Sequence, residues 1–233
     1  MESYETRPYK VLHFGGFKYW TMGSELAETV LINRKSLGVT PSGTVALHFH
    51  GPLTFTEGPR FLFHSPLADA PCVYLWTVKS DLDGLHYIHY VGESVSLARR
   101  HREHLVRILG LDYGIFDPEE ARRGVQKLLW PGLWRDKETD APTRQLEAYR
   151  TLTPTVLRYL ECLGVFAAET HVDTQLRKHL EGSIGRNLRQ SHEPYAVLYP
   201  ADSHVGTMAA KAGLTLLLSA DEPIAGLDPQ LEV

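Results

Sequence analysis

Tyr90–Ser94 reads "YVGES", and Val95–Leu105, "VSLARRHREHL", follows at once. An aromatic strand ends on a glycine and feeds a helix that carries Arg99, Arg100, His101, Arg102 and His104. Packing alone does not ask for that much positive charge. Immediately upstream, "CVYLWTV" (72–78) is an apolar, β-branched and aromatic strand, "SDLDG" is turn chemistry, and "LHYIHYVG" (85–92) returns. The two strands predict a β-hairpin leading into a helix over 95–109, with Ala98, Leu105, Ile108 and Leu109 as its apolar stripe.

Outward from this unit the texture is mixed. Residues 9–20 look strand-like, with a glycine pair as turn or bulge. Residues 24–37 read as a helix capped by Ser24 and stopped near Gly38. "TVALHFHG" and "RFLFH" are β-rich, so residues 1–70 form a β-rich N-terminal region with one helix. Downstream, Asp117 and Pro118 open a helix expected over 117–130, and 143–152 reads as a short helix. Residues 155–170 look like one strand or a pair. Asp173 caps a helix to about 188 with Leu176, Leu180, Ile184 and Leu188 on one face. Strand and loop close the chain. The fold class is α+β, with units expected at 1–70, 71–205 and a C-terminal extension at 206–233.

Composition bounds the chemistry. The chain has 233 residues and ordinary globular composition, 43% hydrophobic and 22% charged. Formal net charge is -4, so a nucleic acid would have to be met by a local basic patch. Cys72 and Cys162 are too few for a disulfide framework or a cysteine zinc site, and they fit a reducing, cytoplasmic setting. No signal peptide is expected from the N-terminal text, and no apolar run is long enough to span a membrane.

The hairpin and helix bring chemistry-bearing groups to one corner. Arg100 and His104 are four apart and share a helix face. Arg99, Arg102 and Arg107 surround them, Tyr90 arrives from the strand end, and Gly92 permits close backbone approach. Tyr74 joins Tyr90 if the hairpin register has the right parity. Phosphodiester cleavage uses such parts: a base or water positioner, a fixed cation for the developing phosphorane charge, and a carboxylate for a divalent ion.

These residues resemble the GIY-YIG nuclease family. Cys72-Val73-Tyr74 stands for the first motif and Tyr90-Val91-Gly92 for the second. Arg100 and His104 fall at the family's arginine and histidine spacing, and Glu181 in "LRKHLEGSIGRNL" fits the family's metal-binding glutamate. The resemblance covers roughly residues 71–200; Cys72 departs from the motif's glycine, and the long stretch between His104 and Glu181 implies an insertion at about 110–155. It implies a three-stranded antiparallel sheet flanked by helices, with the active site on the sheet face. It further implies one Mg²⁺ or Mn²⁺ on Glu181, Tyr74 as general base or water positioner with Tyr90 beside it, Arg100 against the transition state, and His104 on the tyrosine. Gly92, Arg99, Arg102 and Asn187 are expected to contact substrate. A phenol of ordinary pKa ~10 needs that value depressed to act as a base. The implied activity is hydrolysis of DNA, more than RNA, to a 5′-phosphate and a 3′-hydroxyl, as in restriction or defence. The alternatives are an RNA-directed nuclease and a binding module that has lost catalysis.

Plainer readings stand beside these. Glu181 could simply pair with Arg177, four residues earlier. Glu161, on the expected strand, is a rival carboxylate, whereas Glu93 and Glu103 read as solvated groups pairing with Arg99. His48 and His50 share a strand face as a possible metal pair, but no third ligand is in sight. His86 and His89 point to opposite faces, so at most one joins the site. "GSIGRN" and "GVTPSG" miss the phosphate-loop spacing, and no nucleotide cofactor is expected.

Overall fold

The computed structural model describes residues 10–14, 17–21, 43–133, 140–190 and 213–232. The helix expected over 24–37, the closing text "HEPYAVLYPAD" and the glycine pair at 15–16 lie outside the described residues. Strands β1 (Lys10–Phe14) and β2 (Phe17–Thr21) pair antiparallel. The main sheet is built from β3 (Gly43–Leu53), β4 (Cys72–Lys79), β5 (His86–Ser94), β8 (Leu163–Glu169), β9 (Leu214–Ala220), β10 (Ile224–Ala225) and β11 (Gln230–Glu232). Helix α1 (Leu97–Leu109) follows β5. Then come β6 (Ile115–Phe116), α2 (Pro118–Arg122), β7 (Leu128–Trp130) and α3 (Ala141–Cys162). Helix α4 (Thr174–Gln190) follows β8.

The hairpin is where the sequence places it. Ser80 N–H bonds the Leu85 carbonyl, and Gly84 supplies a φ of 74° that a side-chain-bearing residue resists. Beyond it, the three antiparallel strands β5-β4-β8 sit inside a larger mixed sheet of order β10-β5-β4-β8-β3-β9-β11. The expected three-stranded sheet is therefore too small. β3 joins β8 antiparallel, β9 joins β3 parallel, and β10 joins β5 parallel. The reason lies in burial. β4 is buried on both faces from Cys72 to Val78, so it is a central strand that needs neighbours on both sides and helices above and below. One face packs Tyr74, Trp76 and Val78 with Leu97, Ile108, Val156 and Tyr159. The other packs Val73, Leu75, Phe166 and Ala168 with Leu180, Ile184 and Leu188.

Several local expectations are corrected. The helix expected over 117–130 stops at Arg122, although Asp117 does cap it by accepting from the Glu119 and Glu120 amides. Gly124, at φ 75°, turns the chain into β7, which pairs with β6. The strand expected over 155–170 begins only at Leu163. Val156, Tyr159 and Leu160 are buried at helical spacing, and α3 runs to Cys162 through Pro154. Glu161 consequently sits exposed on a helix, not on a strand, and is no rival for a buried site. "RFLFH" forms a short 3-10 turn at Leu62–His64 instead of a strand. On α1, Ser96 is the cap. The buried stripe is Leu97, Ala98, His101, His104 and Ile108, with Leu109 exposed.

No helix among the described residues is long and apolar enough to cross a membrane. Both cysteines are buried free thiols, each pushed up to about 12 by burial.

Candidate active site

β4, β5 and α1 build the site. The register sets Tyr74 opposite Gly92 and Trp76 opposite Tyr90, so the two tyrosines share a face, with ring centroids 6.1 Å apart. The Tyr74 ring lies across Gly92. A Cβ built there would stand 2.8 Å from Tyr74 Cε2 and closer still to Cζ and the hydroxyl. Gly92 therefore makes room for a protein ring, which accounts for the glycine without any substrate.

α1 lays His101 and His104 over that face. His104 Nε2 is 2.8 Å from the Tyr74 hydroxyl, and its ring sits 5.7 Å from that of Tyr90. Burial, followed by the charges of Arg100, His101 and Arg107, pushes His104 down to about 2, so it is a neutral imidazole. His101 is also neutral, lowered to about 4 by burial. It accepts from Trp76 Nε1 at 2.9 Å, and its Nδ1 donates to the Leu97 carbonyl at 2.8 Å. That histidine, part of the text that suggested chemistry, has a packing role that no spacing rule separates from His104.

Arg100 stands at the rim with its side chain 34% exposed, and it donates to Glu103 at 3.0 Å. Burial alone would lower its pKa. Tyr74, Glu103 and Tyr90 outweigh that and hold it above its ordinary value. Tyr74 is fully buried and Tyr90 only partly so. The expected depression of a phenol pKa is not found. Burial and then Tyr90 raise Tyr74 well above the usual range, against Arg100, and burial and then Glu181 raise Tyr90. Both stay hydroxyls at neutral pH.

Glu181 comes from α4, which packs against β5, a strand paired with β4 on one side and, on its other edge, only with β10 at His86 and Tyr87 among the described residues. Its carboxyl is raised to about 7 by burial and then by Glu93, with Arg100 and Lys178 opposing. It thus lies within electrostatic reach of Arg100 and Tyr90. Its plainer reading fails, because Arg177 is buried and donates instead to Glu93 at 3.2 Å, to the Val172 carbonyl and to Thr174. Glu93 is corrected with it. Period-two parity turns Glu93 away from Tyr90 toward α4, so it is not a solvated partner of Arg99. Glu103 does pair with Arg99, at 2.8 Å.

The remaining candidates lie farther out. Arg99 is on the exposed side of α1, and Arg102 is held 5.6 Å over the Phe63 ring. Asn187 donates to Asp228 at 2.8 Å and, six residues past Glu181, occupies a different face of α4. Gly182 and Gly185 are buried, so their small size serves the packing of α4. His86 bonds Thr77 and Glu222, and His89 bonds Tyr159, so neither joins the tyrosines.

The donor set fits a hard divalent ion. Mg²⁺ takes one or two protein carboxylates and keeps waters and phosphate oxygens for the rest. Glu181 offers one such carboxylate, and a group that ionises only near neutrality is one that a nearby cation would hold charged. No protein-family model matches the chain, and no curated protein or solved structure matches it either.

Proposed function

We propose that this protein is a metal-dependent nuclease of the GIY-YIG type that hydrolyses phosphodiester bonds, with DNA the first substrate and RNA the second. The observation that carries this reading is the convergence of Tyr74, Tyr90, Arg100 and His104 on one sheet face, with Glu181 in electrostatic reach. Glu181 would hold Mg²⁺ or Mn²⁺, which when bound supplies Lewis acidity to the phosphate. Arg100, rim-exposed and permanently charged, supports the charge that develops on phosphorus. Tyr90, the less buried of the two tyrosines, would position the attacking water. Tyr74 and His104 lie behind it and orient the set. Arg99, Arg102 and Arg107 give α1 an exposed basic side for the phosphate backbone, which a chain of net charge -4 needs locally.

The test is cleavage of supercoiled plasmid with Mg²⁺ or Mn²⁺, wild type against Glu181→Ala, with EDTA as control and single-stranded DNA and RNA beside it. Metal-dependent cutting lost in the variant supports the reading. Binding without cutting on every substrate replaces it with a nucleic-acid-binding module of the same fold.

A further inference from the structure

A second cluster lies two strands along the sheet from the tyrosines, where β8 separates β3 from β4 and Ala167 pairs with both His50 and Tyr74. In β3, His48 and His50 flank the fully buried Phe49 and so point to one face. β9 runs parallel to β3 with His48 opposite Ser219 and Phe49 opposite Ala220. The Asp221 amide continues the ladder to the Phe49 carbonyl at 3.1 Å, which sets Asp221 beside the histidines. The third ligand that the sequence does not reveal therefore comes from the far end of the chain.

We propose that His48, His50 and Asp221 form a binding site for a divalent ion of the zinc class. One ligand atom from each residue lies within 4.8 Å of the others. Asp221 Oδ1 stands 2.8 Å from His48 Nε2 and 3.5 Å from His50 Nδ1. Zinc bonds of about 2.0–2.2 Å in a tetrahedron set neighbouring donors roughly 3.3–3.6 Å apart. The Asp221–His50 pair already has that spacing, the Asp221–His48 pair has to open by roughly 0.5–0.8 Å, and the two imidazole donors lie within 4.8 Å of each other. Two imidazoles and one carboxylate suit zinc and not magnesium, which prefers oxygen alone.

The supporting contacts are those a ligand set requires. The Gly51 amide donates to Asp221 Oδ2 at 3.0 Å, which leaves Oδ1 turned to the imidazoles. Ser219 Oγ lies 2.8 Å from His48 Nδ1. Without an ion, Ser219 donates to Nδ1 while Nε2–H bonds Asp221. With an ion on Nε2, Nδ1 carries the proton and the hydroxyl accepts it. One serine thus serves both states. His50 and Asp221 also line a cavity of about 640 Å³, with Pro52, Leu67, Arg60 and Glu222 among its walls. Three protein ligands would leave a fourth position open, and two of the three line a space large enough for a small ligand. The ion would also tie β3 to β9 across most of the chain's length.

Titration with Co²⁺, a coloured stand-in for zinc, tests this. The expected result is one equivalent bound with the visible bands of a tetrahedral site, displacement by Zn²⁺, and a higher unfolding temperature with either ion. His50→Ala and Asp221→Asn should each weaken binding by more than the roughly 10–100-fold typical of supporting residues, and Ser219→Ala by an amount within that range. The side chains are 46%, 55% and 43% exposed, so the variants should keep their circular dichroism. The chain has 12 histidines, and equal Co²⁺ binding by wild type and both ligand variants would place the ion elsewhere and overturn the proposal. So would no binding by wild type. Glu181→Ala should bind Co²⁺ here as wild type does, which separates this site from the proposed nuclease centre.

Discussion

The hydroxyl of Tyr74 and Nε2 of His104 lie 2.8 Å apart, joining a central strand to the helix that follows the next strand. His104 Nδ1 is buried and has no hydrogen-bond partner among the described residues. A neutral imidazole carries one N–H. On Nδ1 that donor would go unmet, at a cost of about 1–3 kcal/mol, whereas on Nε2 it is given to Tyr74 oxygen. In the Nδ1–H tautomer the bare Nε2 accepts the phenol proton instead, so the Tyr74–His104 bond stands in either tautomer and Nδ1 is the ring atom left without a partner.

The same burial makes stability sensitive to acid. His104 is lowered to about 2 and His101 to about 4, while their unfolded forms titrate near 6.5. Below pH 6.5 the unfolded chain binds protons that the folded chain refuses. Stability is thus present above 6.5 and lost as pH falls, by about 1.4 kcal/mol per unit for each histidine. His104→Gln can keep a donor for Tyr74 and cannot titrate. Its urea midpoint between pH 7 and pH 4.5 should fall less steeply than that of wild type, and equal slopes would refute the neutral buried imidazole.

Gly92→Ala should disturb both fold and site. The new methyl lands on the Tyr74 ring and hydroxyl, held from behind by His104. Overpacking of this kind costs about 1–3 kcal/mol. Urea unfolding should show that loss, and plasmid cutting should fall further than the same loss produced by a core substitution remote from Tyr74, such as Leu216→Ala.

Much of this site is legible in the residues. Hairpin, helix and the alignment of Arg100 with His104 follow from turn chemistry and helical period. The rest depends on partners distant in sequence. The parity that unites Tyr74 with Tyr90 is fixed by pairing up to the bulge after Trp76. Arg177 choosing Glu93 over Glu181, 84 residues from its partner, is a matter of helix placement. Residues 155–162 misled because Val156, Tyr159 and Leu160 suit a strand by type and a helix by spacing. The sheet's growth to seven strands comes from β3 joining β8, β9 and β11 adding beyond β3, and β10 joining β5, which no local pattern encodes.

Arg100→Lys separates charge from shape. Lysine keeps the charge and loses the planar fork that reaches Glu103 and the tyrosines together. If Arg100 supports the developing phosphorane, kcat should drop by about 10²–10³ with little change in DNA affinity. Arg99→Lys, on the exposed face, should leave kcat as it is. A uniform loss of affinity with unchanged kcat in Arg100→Lys would assign Arg100 to substrate binding alone.

Glu93→Gln tests how the sheet tunes Glu181. Glu181 is raised to about 7 from an ordinary 4.5, chiefly by burial and next by the Glu93 charge. The folded chain therefore holds a proton between those values that the unfolded chain has released, so this carboxyl's contribution to stability is lost as pH rises through 7. The proton also competes with a cation, and Mg²⁺-dependent cutting should fall as pH drops below 7. Removing the Glu93 charge lowers the Glu181 pKa, while the Gln amide oxygen still accepts from Arg177. The acid limb of kcat/KM against pH should then move to lower pH, with less Mg²⁺ needed at pH 6. Arg177→Ala should do the reverse. It leaves Glu93 without its buried partner, should cost about 3–5 kcal/mol in stability, and favours one proton shared between the two carboxyls. An acid limb that stays in place in both variants would mean that Glu181 is not the group that titrates in the reaction.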